Sequence, residues 1–71
     1  MRKSDQKIKA YELLQNRLQY AIDHSSEYHF RYANDFITEM NLLEIFTDAE
    51  AERQYKRVSV YWQEWEDSHG Q

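Results

Sequence analysis

Residues that break helices are almost missing from this chain. It contains no proline, and its one glycine is Gly70. Proline and glycine are the residues that most often end a helix or form a turn, so nothing of this kind interrupts the chain between residues 4 and 69. No stretch shows the sustained alternation of apolar and polar residues that is typical of strands. The sequence therefore predicts an all-α protein.

Two short polar clusters interrupt the helical pattern, at residues 23–26 (DHSS) and 46–48 (FTD). They divide the chain into helices of about 5–23, 27–45 and 48–67, with Ser4, Ser25 or Ser26, and Thr47 as N-caps. Connections of a few residues favour antiparallel neighbours. Seventy-one residues allow one domain. We therefore expect a single domain, 1–71, folded as a small antiparallel three-helix bundle.

The third helix has the clearest start signal. Thr47 and Glu50 form the T-x-x-E pattern of a capping box. Phe46 precedes the cap and Ala51 is the fourth helical residue, so the pair can form a hydrophobic staple. Apolar residues then recur at steps of four and three through Trp62 and beyond, which predicts a helix with one buried face.

The apolar stripes of the three helices predict an aromatic-rich core. Eleven residues are aromatic, and aromatic side chains bury much area in a short chain. The stripe residues expected to face inward are Ile8, Tyr11, Leu14, Leu18, Ala21 and Ile22; then Ala33, Phe36, Ile37, Met40 and Leu43; then Ala51, Tyr55, Val58, Trp62 and Trp65.

Charge and composition narrow the class of function. The net charge is −4, and residues 27–71 hold four Lys or Arg against ten Asp or Glu. An acidic body disfavours nucleic-acid binding, which depends on neutralising phosphates. There is no cysteine, so neither a disulfide framework nor a thiolate metal site can form. The chain shows no secretory signal and no apolar run of membrane-spanning length, which indicates a cytoplasmic protein.

Two short motifs contain residue types used in catalysis or metal binding. Residues 23–25 (DHS) are the residue types of a catalytic triad. Triads are assembled from distant positions, however, so an interhelix turn is the better interpretation. Residues 66–69 (EDSH) match one Glu-x-x-His pair of a di-metal bundle, a site that needs two such pairs and two more glutamates. We therefore predict no enzyme activity, no cofactor and no metal.

A basic cluster on the third helix supports an alternative function. Arg53, Lys56 and Arg57 lie within five residues and could contact nucleic acid. Pairing of Glu50 and Glu52 with Arg53 and Lys56 would instead make this a solvated helix face. The acidic surroundings favour the second interpretation and make nucleic acid an improbable partner.

Apolar residues outside the stripes indicate a surface that binds protein. Leu13 and Tyr20 lie seven residues apart on the back of the first helix, with Arg17 between them. The corresponding residues near the end of the second helix are Leu42, Ile45 and Phe46. Association would add apolar burial that a chain of this length lacks. We therefore expect a non-enzymatic protein–protein interaction and regulatory module that forms a homodimer, with a nucleic-acid-associated regulator as the alternative.

Overall fold

The computed structural model describes residues 2–24 and 27–69, without the side chains of Lys3 and His69. Three helices make up this part of the chain: α1, Lys3–Asp23; α2, Glu27–Leu42; and α3, Asp48–His69. The predicted all-α class and the antiparallel three-helix bundle are confirmed. Ser25 and Ser26, the predicted caps of α2, lie outside the described residues.

Helix α2 is the central element of the bundle. It packs extensively against both α1 and α3, whereas α1 and α3 contact each other much less. Lys7, near the start of α1, pairs with Glu50 near the start of α3, at 2.9 Å between Nζ and Oε1. Ile22, near the end of α1, shares a crevice with Trp65, near the end of α3. Helices α1 and α3 therefore run in the same direction, and α2 runs against both.

The core is apolar and rich in aromatic rings. Phe30 lies fully buried within it, with its ring centroid 5.2 Å from that of Trp62 and 6.2 Å from that of Trp65. Both tryptophans pack against the core but are half-buried rather than enclosed. The buried residues are Ala10, Leu14, Leu18, Ala21, Phe30, Ala33, Phe36, Ile37, Phe46, Ala51 and Val58.

The predicted start of α1 is wrong by two residues. The helix begins at Lys3, and Arg2 occupies the N-cap position without a side-chain cap. The Arg2 carbonyl accepts hydrogen bonds from the backbone N–H groups of Asp5 and Gln6. Ser4 is therefore a helical residue with an exposed side chain, not the N-cap.

The predicted end of α2 is also wrong. The helix ends at Leu42, three residues earlier than the expected Ile45. Glu44 has φ 61°, the left-handed conformation that often terminates helices. The N–H of Ile45 bonds to the carbonyl of Met40, and the N–H of Glu44 to the carbonyl of Asn41. This is the Schellman motif, built here without glycine.

Two apolar residues assigned to the inward stripes are exposed instead. Ile8 is 59% exposed and Leu43 is 64% exposed. Arg17 contacts Phe36, so the end of α2 at Leu42 is level with about Tyr11, and Ile8 lies beyond it. Leu43 follows the last helical residue, where the chain leaves the helix. The stripes omitted Ala10 and Phe30, which are both buried.

The bundle is elongated. Its principal extents are 45 × 20 × 14 Å, although α3, the longest helix, spans only about 33 Å at 1.5 Å per residue. The bundle is more than twice as long as it is wide. No helix in the described part of the chain is long and apolar enough to cross a membrane.

Candidate interaction surface

A groove runs between α1 and α2 on the outside of the bundle. We call it the α1–α2 groove. Leu13, Arg17 and Tyr20 lie on its α1 side, and Arg17 borders both of its halves. The residues that line it are Leu13, Asn16, Arg17 and Tyr20 from α1, with His29, Tyr32, Asp35, Phe36 and Glu39 from α2.

One half of the groove is aromatic. The Tyr20 ring packs on His24, with centroids 4.0 Å apart, and on His29, with centroids 4.2 Å apart. The His29 ring meets Tyr32 edge-on at 5.6 Å. Tyr20 is 46% exposed and Tyr32 is 50% exposed, while Leu13 nearby is 39% exposed. Large rings held by their neighbours and still half open to solvent are typical of protein-binding surfaces.

The other half of the groove carries charges of both signs. The Arg17 guanidinium lies over the Phe36 ring, 5.0 Å from its centroid, which is a cation–π arrangement. Asp35 and Glu39 border the same half and are exposed. Among the described residues, no cation pairs with either carboxylate and no carboxylate pairs with Arg17. The groove therefore presents a cation and two carboxylates that have no ion-pair partners in the described part of the chain.

The structure brings together only half of the predicted contact residues. Leu13, Arg17 and Tyr20 share the groove, as their spacing on one helix requires. Leu42 is 76% exposed but lies at the end of α2, and Ile45 packs half-buried against the core. Phe46 is fully buried, so its expected place on the surface is wrong. The turn at Glu44 changes the chain direction, and Phe46 packs on Tyr11 at 4.8 Å instead.

Sequence reasoning missed the α2 side of the groove. His29, Tyr32, Asp35 and Glu39 had no part in the predicted contact surface. A signal was present, because Tyr28, Tyr32, Asp35 and Glu39 recur at steps of four, three and four, a helical stripe that flanks the buried face. It was overlooked because two of its members are charged and do not stand out as apolar residues.

A second polar cluster joins α1 to the start of α3. The Thr47 N–H donates to Glu50 Oε1 at 2.9 Å, and the Glu50 N–H donates to Thr47 Oγ1 at 3.2 Å, which confirms the predicted capping box. Glu50 also pairs with Lys7, and the Tyr11 hydroxyl donates to it at 3.4 Å. Glu50 thus pairs with α1, not with Arg53 as expected.

Hydrogen bonding and charge shift the acidity of this cluster. The backbone N–H of Thr47, then the Lys7 ammonium, lower the pKa of Glu50 from 4.5 to about 2. Burial, then the negative charge of Glu50, raise the pKa of Tyr11. Lys7 and Tyr11 of α1 both meet Glu50 of α3, and these contacts between two helices make the cluster a structural feature.

The basic cluster on α3 offers less free positive charge than its composition suggests. Lys56 pairs with Glu52 at 3.7 Å, one of the two predicted pairs. Arg57 donates to Gln54 at 3.3 Å and lies over the Tyr61 ring at 5.8 Å. Arg53 is exposed on the same helix. A nucleic-acid interface here would have to compete with these contacts for two of its three cations.

The two motifs considered for catalysis or metal binding fall partly outside the described residues. Ser25 and the side chain of His69 are among those not described. Within residues 2–24 and 27–68, no group of three or more His, Cys, Asp or Glu side chains is arranged to hold a metal ion.

Comparisons of the chain with protein-family models, with curated proteins and with solved structures found no match.

Proposed function

We propose that this chain is a small protein–protein interaction module that associates with itself, with α1 at the interface. The observation that carries the proposal is the α1–α2 groove, where Leu13, Tyr20 and Tyr32 remain substantially exposed beside one another. Rings fixed by neighbouring side chains lose little conformational freedom when a partner covers them. A module of this kind would act by occupying or releasing this surface, and the absence of cysteine suits the cytoplasm.

The small size of the bundle supports association. A domain of this length buries a smaller share of its surface than a larger protein does, so a second chain adds a substantial fraction of the total burial. Closed twofold dimers are the commonest outcome when a chain associates with itself. We therefore expect a homodimer rather than a higher oligomer.

Sedimentation equilibrium at micromolar concentration tests the proposal. A dimer has twice the 8.8 kDa mass of the chain. The double variant Leu13→Glu, Tyr20→Glu should sediment as a folded monomer, because it places charge on both sides of Arg17. Ile8→Glu with Val60→Glu adds the same charge at exposed apolar positions outside the groove, and this control should stay dimeric. A wild-type chain that sediments at 8.8 kDa contradicts self-association.

A further inference from the structure

We infer that the partner of the α1–α2 groove is the same groove of a second copy, placed so that α1 of each chain lies over α2 of the other. This inference rests on the proposed function and adds the geometry of the interface. In this arrangement the twofold axis runs parallel to the helices, and Arg17 of one chain meets Asp35 and Glu39 of the other.

Matched spacing of two exposed stripes supports this arrangement. Along α1 and the residue that follows it, Leu13, Arg17, Tyr20 and His24 are separated by four, three and four residues. On α2, Tyr28, Tyr32, Asp35 and Glu39 show the same spacing. Because the two helices are antiparallel and rise equally per residue, the stripes align in reverse order. His24 is then level with Tyr28, Tyr20 with Tyr32, Arg17 with Asp35, and Leu13 with Glu39.

A rotation about an axis parallel to the helices keeps every residue at its own height. It carries α1 of the second chain across to a position over α2 of the first. Each level then joins complementary groups: ring on ring for Tyr20 and Tyr32, and cation on carboxylate for Arg17 and Asp35. The methylene stem of Glu39 covers Leu13, and its carboxylate flanks Arg17.

Charge complementarity favours a second copy of the chain over a basic or an acidic partner. A basic partner would leave Arg17 facing like charge, and an acidic partner would leave Asp35 and Glu39 facing like charge. A second copy supplies a cation for the carboxylates and carboxylates for the cation. The alternative dimer, with the axis perpendicular to the helices at the level of Arg17 and Asp35, would stack α2 on α2 in reverse order and bring the two Asp35 side chains together. Like-charge contact disfavours that arrangement.

The available area is sufficient for a modest interface. Helix α2 has 16 residues and spans about 24 Å, and the bundle is 20 Å across. The overlap is therefore roughly 500 Å² per partner, smaller than the ~800 Å² per partner of standard interfaces. An interface of this size fits reversible association.

Charge reversal with mixing tests the geometry. Arg17→Glu and Asp35→Arg should each raise the dimer dissociation constant about tenfold or more, because each juxtaposes like charges at two symmetric positions. When the two variants are mixed, position 17 of each chain faces an opposite charge at position 35 of the other. The mixture should therefore form a heterodimer close to wild-type affinity. In each variant chain, positions 17 and 35 still carry charges of the same sign. A contact between them inside one chain therefore cannot explain recovery on mixing.

The control is Arg53→Glu on α3, which changes the net charge by the same amount as Arg17→Glu. It should leave the dissociation constant unchanged. Circular dichroism of each variant verifies that the helices are retained. A wild-type monomer at micromolar concentration overturns both this inference and the proposed function. A wild-type dimer that Arg17→Glu does not weaken, or variants that are weakened but fail to recover on mixing, overturn this inference alone.

Discussion

Glu50 combines a local and a long-range role in one carboxylate. Locally it completes the capping box with Thr47, and at long range it pairs with Lys7 and accepts from Tyr11 on α1. The Thr47 N–H and the Lys7 ammonium both favour the ionised form, which lowers the pKa of Glu50 to about 2. The same side chain therefore starts α3 and holds α1 beside it.

The lowered pKa predicts a contribution of Glu50 to acid sensitivity. A carboxylate whose pKa is lower in the folded state stabilises the fold fully above its unfolded value, and the contribution disappears as the pH falls towards the folded value. The window is therefore about pH 4.5 to 2. The shift corresponds to an upper bound of about 3 kcal/mol. Glu50→Gln should lower stability at neutral pH and flatten the decline of stability across this window.

Urea unfolding at a series of pH values measures this effect. The matched control is Glu64→Gln, the same substitution at an exposed position of α3. It should leave the slope unchanged. A Glu50→Gln variant with the wild-type slope would show that Glu50 is not the group that titrates.

At the scale of elements, the end of α2 is under local strain. Glu44 adopts φ 61° in the Schellman motif, where glycine has no steric penalty. A non-glycine residue in the left-handed region costs roughly 1–2 kcal/mol, which the motif's hydrogen bonds and the packing of Phe46 must offset. The motif is retained because it returns Phe46 to the core.

Glu44→Gly should therefore stabilise the protein. We expect a gain of about 0.5–1 kcal/mol, since the steric penalty outweighs the extra freedom that glycine gives the unfolded chain. Thermal unfolding followed by circular dichroism measures it. The same substitution inside a helix, Glu64→Gly, should lower stability by about 1 kcal/mol. Destabilisation by both substitutions would show that Glu44 is not strained.

The ends of the elements show what the sequence could predict. Thr47 and Glu50 predict the start of α3, because a capping box is a local pattern of residue types. Glu44 does not predict the end of α2, because glutamate favours helices and only the packing of Phe46 forces it into the left-handed region. Ile8 was misplaced for a different reason. Its periodicity is inward, but α2 ends before it reaches the level of Ile8.

At the scale of the whole molecule, the elongated shape sets how two copies can combine. The radius of gyration is 12.6 Å, against about 11 Å expected for a compact chain of this length. The groove runs along the long side of the bundle, and residues level with one another face across it. A dimer formed through the groove doubles the thin dimension and leaves the 45 Å length nearly unchanged.

Small-angle X-ray scattering of the dimer should detect this. For two identical bodies, the squared radius of gyration of the dimer is that of one chain plus the square of half the distance between their centres. Stacking through the groove puts the centres about 15 Å apart and gives a radius of gyration near 15 Å, little above the 12.6 Å of one chain. End-to-end association would put the centres about 45 Å apart and give roughly 26 Å by the same relation. Values measured across a dilution series separate the two arrangements. A value near the larger figure would place the interface at the ends of the helices.

The weak contact between α1 and α3 also has a kinetic consequence. Each of these helices packs mainly on α2, its neighbour in sequence, so most of the bundle can form by closing two short hairpins. The contact of Lys7 and Tyr11 with Glu50 joins residues about forty positions apart and carries the largest loop-closure cost. We expect it to form after the rate-limiting step. Lys7→Met should then accelerate unfolding and leave the folding rate nearly unchanged, which stopped-flow measurements in urea would show.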